Sequence, residues 1–197
     1  MATVHLPLFP LHTVLFPGGL LALRVFEPRY LDMVRECGRA GHGFGVCLIL
    51  TGEEVGVAAS SAAVGCEATI EDFSASADGL LQLTVRGGRR FHVEQSRVRD
   101  NGLVVADVRW LPAPTVSPLR PEHELLAVLL RRMVDRAGPA NRIAATEADF
   151  RNAEWVAWRL AEWLPLDGEE RQQLLQEECA DQRLQRLLEW IPRFQAA

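Results

Sequence analysis

The first half of the chain alternates apolar and polar residues with the two-residue period of β-strands. Leu21, Leu23 and Val25 fall on one face of such a segment, and Arg24 falls on the other. Further strands are predicted over residues 44–50, 70–73, 81–85, 90–94 and 104–110, of which 44–50 is an almost wholly apolar run. Turn sequences separate the strands at Pro17-Gly18-Gly19, Thr51-Gly52, Asp78-Gly79 and Asp100-Asn101-Gly102. Many short strands joined by close turns indicate an antiparallel barrel or sandwich.

Two positions in the first half depart from this simple pattern. Pro7 and Pro10 lack backbone donors, so segment 6–10 is predicted to lie at a sheet edge or strand end, although its leucines and Phe9 demand burial. Glu27-Pro28 favours the start of an inserted helix, because proline is tolerated at the first helical position. That helix is predicted from Arg29 to Cys37, with Gly38 as its end. Its apolar side would present Tyr30, Leu31, Val34 and Cys37.

The second half has the 3.6-residue period of helices. Four prolines between residues 112 and 121 predict a stiff linker, and four helices follow it. The first would end near Gly138-Pro139, and Asp167 with Glu170 resembles a capping box at the start of the third. Their apolar stripes contain Leu125, Leu126, Leu129, Leu130 and Met133, then Val156, Leu160 and Trp163, then Leu174 and Leu175, then Leu184, Leu187, Leu188 and Ile191. The predicted division is a β domain at 1–116 and a helical subdomain at 117–197.

Composition and charge narrow the function classes. With 197 residues, 48% of them hydrophobic, the chain can bury one good core, and no apolar run is long enough to cross a bilayer. The net charge of −5 gives no general attraction to nucleic acid or to an anionic membrane. Cys37, Cys47, Cys66 and Cys179 show no metal-binding spacing and are interpreted as reduced, buried thiols. A cytoplasmic protein is the default prediction, with neither metal nor cofactor.

No catalytic constellation stands out. All 21 basic residues are arginines, so the chain lacks the lysine of a phosphate-binding P-loop and the lysine of a Ser-Lys peptidase dyad. Arginine does not replace that lysine as a base, because its guanidinium stays protonated. Glu122-His123-Glu124 misses the zinc-protease motif, because position 127 is alanine. No catalytic residue is therefore assigned.

The phrase VLFPGGLLALRVFEPRYLDMV, followed by FGVCLI and later by LPLDGEERQQLL and DQRLQRLLEW, resembles the N-terminal substrate-binding domain of Lon proteases. The resemblance runs in order over most of the chain. It implies an α+β fold, with a PUA-like antiparallel β pseudo-barrel, an inserted helix and a C-terminal helical bundle. It also implies a recognition module without ATPase or peptidase activity.

Two functional hypotheses follow from this resemblance. The leading one is binding of unfolded or partner polypeptide in an apolar groove between the β half and the helices. Its candidate contact residues are Phe16, Phe26, Glu27, Arg29 and Tyr30. The segment from Phe26 to Tyr30 has an alternative, purely structural interpretation, in which Glu27 and Arg29 orient the helix and Tyr30 anchors it.

The alternative function is RNA binding, because PUA-like folds include RNA-binding proteins. Its candidate residues are Arg86, Arg89 and Arg90, within a segment from Val85 to Trp110 that carries a local excess of positive charge. Solvated strand faces explain the same arginines, and the acidic chain as a whole disfavours nucleic acid. The sequence leaves the oligomeric state open.

Overall fold

The computed structural model describes residues 4–54, 60–75, 79–113, 116–137 and 145–195. It divides into two compact units, Met1–Ala113 and Pro114–Ala197. The division predicted from the sequence, a β domain at 1–116 and a helical subdomain at 117–197, remains a prediction.

The described part of the first unit contains seven strands and one helix. They are β1 (Val4–Leu11), β2 (Leu20–Val25), α1 (Pro28–Ala40), β3 (Phe44–Thr51), β4 (Ser60–Ser61), β5 (Val64–Ala75), β6 (Leu81–Val98) and β7 (Val104–Trp110). The sheet order is β1-β7-β6-β5-β3-β4, and β1 also pairs with β3, so five strands close into a ring. The predicted α+β fold, with a β pseudo-barrel and an inserted helix, is confirmed. One pair in the ring, β1 with β3, is parallel rather than antiparallel.

The prolines of β1 fit because each half of the strand has a different neighbour. Residues 4–7 pair with β7, and residues 8–11 pair with β3. Each half therefore has one edge without a ladder, where a missing donor is tolerated. The predicted burial of Leu6, Leu8 and Phe9 is confirmed, since each is at most 5% exposed.

Two predicted boundaries in this unit were wrong. The sequence predicted separate strands at 81–85 and 90–94, but β6 is one strand of 18 residues that runs through Gly87 and Gly88. The helix does not end at Gly38 but continues to Ala40. The next residue, Gly41, adopts the left-handed conformation (φ 68°), and its N–H donates to the Cys37 carbonyl. Gly38 has no such conformation and stays helical. The helix buries Met33 as well as Tyr30 and Cys37, while Leu31 and Val34 are only partly buried.

The turn predictions hold where the structure describes them. Gly18, Gly52, Gly79 and Gly102 all have positive φ. Asp78 lies outside the described residues, although β5 and β6 on either side of it pair as predicted. The register joins Ile70 to Val85 and Phe73 to Leu83.

The second unit is helical. Its described helices are α2 (Glu124–Arg136), α3 (Ala153–Trp163), α4 (Gly168–Gln176), α5 (Ala180–Trp190) and α6 (Pro192–Gln195). The capping box at Asp167 and Glu170 is present. In α2 the predicted apolar stripe was too wide, because Leu126 and Leu130 are buried while Leu125 is 67% exposed. The predicted helix end at Gly138-Pro139 lies outside the described residues.

The interior of the second unit also contains charge. Arg183 is fully buried, pairs with Glu154 and lies 3.8 Å from the centroid of the Trp158 ring. Periodicity predicted the leucines of this core but not its arginine.

Candidate functional site

A tight turn sets the start of β2. The Gly19 N–H bonds the Phe16 carbonyl at 2.9 Å, with Pro17 and Gly18 at the corners. Gly18 has φ 73°, which a type II turn requires at this position. The Gly18 N–H then donates to the Gly87 carbonyl at 2.7 Å, and the Gly87 N–H donates to the Gly19 carbonyl at 2.8 Å. This places β2 against β6.

Gly87 has to be glycine for the turn to dock. A Cβ atom at this position would lie 2.0 Å from the Phe16 carbonyl oxygen, which is far inside van der Waals contact. Gly87, which lies between the two strands predicted at 81–85 and 90–94, is therefore the point where the turn before β2 packs against β6.

From this anchor β2 pairs with β6 along its whole length, from Leu20 opposite Arg86 to Val25 opposite Leu81. Among the described residues no other strand pairs with β2. The strand has one apolar, buried face, with Leu23 at 7% and Val25 at 1% exposure.

The start of α1 is fixed by Arg29. Its guanidinium donates to the Gly102 carbonyl at 3.1 Å and pairs with the Glu27 carboxylate at 3.0 Å. The same group lies 4.6 Å from the centroid of the Tyr30 ring. Arg29 is only 7% exposed, so it joins the helix to the β6–β7 turn from inside the protein.

A groove of about 390 Å³ runs beside β2 within the first unit. Its apolar lining comes from three elements, and the Phe9 and Tyr30 rings stack with centroids 4.1 Å apart. The complete lining is Phe9, Leu11, Thr13, Leu21, Ala22, Leu23, Arg24, Val25, Phe26, Glu27, Tyr30 and Glu54. Phe26 is 51% exposed, which is unusual for so large an apolar side chain.

The end of the groove near Tyr30 is acidic. Glu27 and Glu54 both line the groove, and Glu54 accepts a hydrogen bond from the His12 backbone N–H at 2.6 Å. Burial raises the pKa of the Tyr30 phenol, the Arg29 charge opposes this rise, and the charges of Glu27 and Glu54 add to it. Within the described residues no group of three His, Cys, Asp or Glu side chains could hold a metal ion.

The structure separates the five predicted contact residues. Phe26, Glu27 and Tyr30 line the groove. Arg29 lies beneath it and holds Glu27 and Tyr30 in place, and Phe16 is only 1% exposed and does not line it. Sequence reasoning missed Phe9, Leu11 and Glu54 as lining residues. Nothing local in the sequence brings these positions next to β2.

The arginines of the RNA hypothesis, here called the arginine set (Arg86, Arg89 and Arg90), are engaged with the protein. Arg86 donates to Glu71 at 3.0 Å and to the Gly18 carbonyl at 3.0 Å. Arg89 pairs with Glu67 at 3.3 Å and stacks on Trp110, with its guanidinium carbon 3.8 Å from the ring centroid. Arg90 is 5% exposed. Carboxylates therefore offset much of the positive charge that the sequence suggested.

Cysteine chemistry gives no further site. All four cysteines are free thiols; Cys37, Cys47 and Cys66 are buried as expected, whereas Cys179 is exposed, so the prediction of burial was wrong there. Burial raises the pKa of Cys37 to about 11 and that of Cys47 to about 12, so neither is a ready thiolate.

The pseudo-barrel, the inserted helix and the helical second unit together match one class of recognition domain. The family model for the ATP-dependent protease La (LON) substrate-binding domain matches residues 5–193. The chain belongs to this family.

Solved structures agree with this assignment. A Lon N-terminal domain protein from Xanthomonas campestris is 51% identical, with a TM-score of 0.81, and the match covers 95% of this chain and 98% of that one. The N-terminal domain of a Mycobacterium avium complex Lon protease is 17% identical, with a TM-score of 0.65, over 95% and 97% of the two chains, and shows the shared fold. In the described residues no helix is long and apolar enough to cross a membrane.

Proposed function

We propose that this protein is a non-enzymatic polypeptide-recognition module that binds apolar segments of unfolded or partner proteins in the groove beside β2. The observation that carries the proposal is an open apolar groove, edged by the half-exposed Phe26, in a chain of the Lon substrate-binding family. The groove lies entirely in the first unit.

The affinity would come from burial of partner side chains. Each Leu, Val or Phe that enters the groove contributes about 1.5–3 kcal/mol before the ordering of the partner is subtracted. A groove of about 390 Å³ has room for only a few such side chains. Weak, permissive binding is therefore expected, which suits recognition of many unfolded segments.

The same proposal places the protein in the cytoplasm. Its four cysteines are all free thiols, as a reducing compartment maintains.

Titration calorimetry with a permanently unfolded, cysteine-blocked polypeptide tests the proposal. The unmodified protein should bind saturably, with little change between low and high salt, because apolar burial is not screened. Phe26→Asp should weaken binding at least about tenfold, or about 1.4 kcal/mol. Phe73→Asp is the matched control, since Phe73 is 73% exposed and does not line this groove.

Equal losses of affinity in the two variants would contradict the groove as the binding site. Absence of binding by the unmodified protein would contradict the proposed function. A short structured RNA serves as the second ligand. RNA binding that falls steeply with salt, without polypeptide binding, would favour the alternative function instead.

A further inference from the structure

We infer that the groove accepts its polypeptide as an added β-strand paired with β2, and that the preferred segment alternates apolar side chains and carries a Lys or Arg beside Glu54 and Glu27. This inference rests on the proposed function and specifies its binding mode. The occupant is an extended polypeptide rather than a helix.

The hydrogen-bond register identifies the residues that face away from β6. The Gly87 N–H bonds the Gly19 carbonyl, so in an antiparallel ladder the alternate residues Leu21, Leu23 and Val25 exchange hydrogen bonds with β6. The intervening residues, Leu20 and Ala22, direct their backbone groups to the other edge. No strand among the described residues takes up that edge.

The groove runs along this edge rather than over one face of the strand. Its lining includes every residue from Leu21 to Phe26, from both faces of β2. Six strand residues span about 20 Å, the length of an extended segment of similar size. Addition of a strand to such an edge is a known mode of peptide recognition, in which backbone hydrogen bonds give affinity and side pockets give specificity.

The side pockets select alternate side chains. One face of an added strand would lie with Leu21, Leu23 and Val25, close to the Phe9 and Tyr30 rings, which favour apolar side chains. Its other face would lie beside Leu20, Ala22, Arg24 and Phe26, of which Leu20 and Phe26 are each 51% exposed.

The carboxylates of the groove favour a positively charged residue at the end of the bound segment that lies beside them. Glu27 and Glu54 are the two carboxylates of the lining, and Arg24, its one cation, lies on the face of β2 opposite Leu23 and Val25. Arg29, which pairs with Glu27, is buried and does not line the groove. A cationic side chain at this end finds Glu54, while an anionic one meets repulsion. The net charge of −5 on the whole chain acts in the same direction.

Backbone methylation of a peptide tests the pairing without removing any side chain. The probe is a peptide of about seven residues with valine at alternate positions and one terminal lysine, matched in length to β2. In one version the even amides are N-methylated, and in another the odd amides are. Only one of the two sets can face β2, so one version should lose at least about tenfold in affinity while the other stays within about twofold.

The outcomes separate the binding mode from the function. Equal affinities of the two methylated versions, with the parent peptide still bound, would overturn strand addition and leave the proposed function standing. Failure of the parent peptide and of unfolded polypeptide to bind would overturn both. Replacing the lysine by glutamate should weaken binding several-fold at low salt, and an unchanged affinity would overturn the charge preference.

A protein variant gives the reciprocal test. Ala22→Pro removes one outward N–H while leaving the ladder to β6 complete, and an edge position tolerates proline. We expect loss of peptide binding with the thermal unfolding transition retained. Ala22→Ser keeps the N–H and serves as the control. Unchanged binding by a folded Ala22→Pro protein, or a dimer of the chain paired through β2, would contradict the inference.

Discussion

The groove beside β2 and the arginine set of β6 lie in the same unit. They differ in how many of their side chains and backbone groups already have partners within the protein. Arg86 and Arg89 have carboxylate partners at 3.0 and 3.3 Å, and Arg90 is buried. Beside the groove, Phe26 is half-exposed, and no strand among the described residues pairs with the outer edge of β2. A binding surface is therefore better indicated by apolar side chains and strand edges that the fold leaves exposed than by residue types counted along the chain.

The largest effect is expected at the contact that joins the two regions. Gly87→Ala would place a methyl group 2.0 Å from the Phe16 carbonyl oxygen, so the turn before β2 has to move. We expect a loss of at least about 3 kcal/mol in the free energy of unfolding, measured in denaturant, together with loss of polypeptide binding.

Gly38→Ala is the matched control. Gly38 lies in α1 with no heavy atom within 4 Å of an added Cβ. This change should stabilise the protein by about 0.5–1 kcal/mol, because alanine is the better helix former. Similar stabilities for the two variants would contradict the account of the β2 turn.

The next largest effect is the difference in stability lost when one arginine from each region is replaced. Arg29→Met removes the buried guanidinium that pairs with Glu27 and donates to the Gly102 carbonyl, and should cost about 2–4 kcal/mol. Arg89→Met removes an exposed pair with Glu67 and a stacking contact with Trp110, and should cost about 1 kcal/mol or less. Chemical denaturation of both variants measures the difference, and an equal loss would mean that Arg29 does not anchor α1.

A smaller effect is expected on the pKa of Tyr30, which is sensitive to the charges that line the groove. The chain has a single tyrosine, so an ultraviolet absorbance titration follows the Tyr30 phenol alone. Its pKa should lie above the ordinary value because of burial, and Glu54→Gln should lower it by removing a negative charge.

The same titration fixes the sign of the pH effect on stability. The folded state holds the phenol proton more tightly than the unfolded state, so this contribution is complete below about pH 10 and is lost as the pH rises further. Tyr30→Phe should remove that part of the decline. A Tyr30 pKa that Glu54→Gln leaves unchanged or raises would contradict the acidic end of the groove.

The smallest effect is expected at the arginine set. Arg89→Glu should leave polypeptide affinity within about twofold, because Arg89 does not line the groove. Arg86→Glu is compared for RNA binding only, since Arg86 also donates to the Gly18 carbonyl of the β2 turn. Binding of a structured RNA should be weak in the unmodified protein and change little in the variants. A steep loss of RNA affinity on either charge reversal would restore the RNA hypothesis.

Several features could be predicted because their signals are local. Alternation predicted the buried face of β2, Pro17-Gly18-Gly19 predicted its turn, and Asp167 with Glu170 predicted a capped helix. Each depends on residues within a few positions of one another.

The features that sequence reasoning missed depend on distant residues. The sequence predicted two strands where β6 is one, and Gly87 within it accommodates the carbonyl of Phe16, about seventy positions earlier in the chain. The parallel pairing of β1 with β3 and the burial of Arg29 against Gly102 likewise need the closed barrel. The open edge of β2 is a property of the whole sheet order, so alternation alone could not indicate it.

Amide chemical-shift mapping during titration with unfolded polypeptide tests the central claim most directly, because it compares both regions in one experiment. We expect the largest shifts at Leu21–Tyr30, with Ala22 prominent among them, and near Glu54. The amides of Arg86, Arg89 and Arg90 should change little. Saturable binding whose shifts centre on the arginine set or on the second unit, with β2 unaffected, would contradict the central claim.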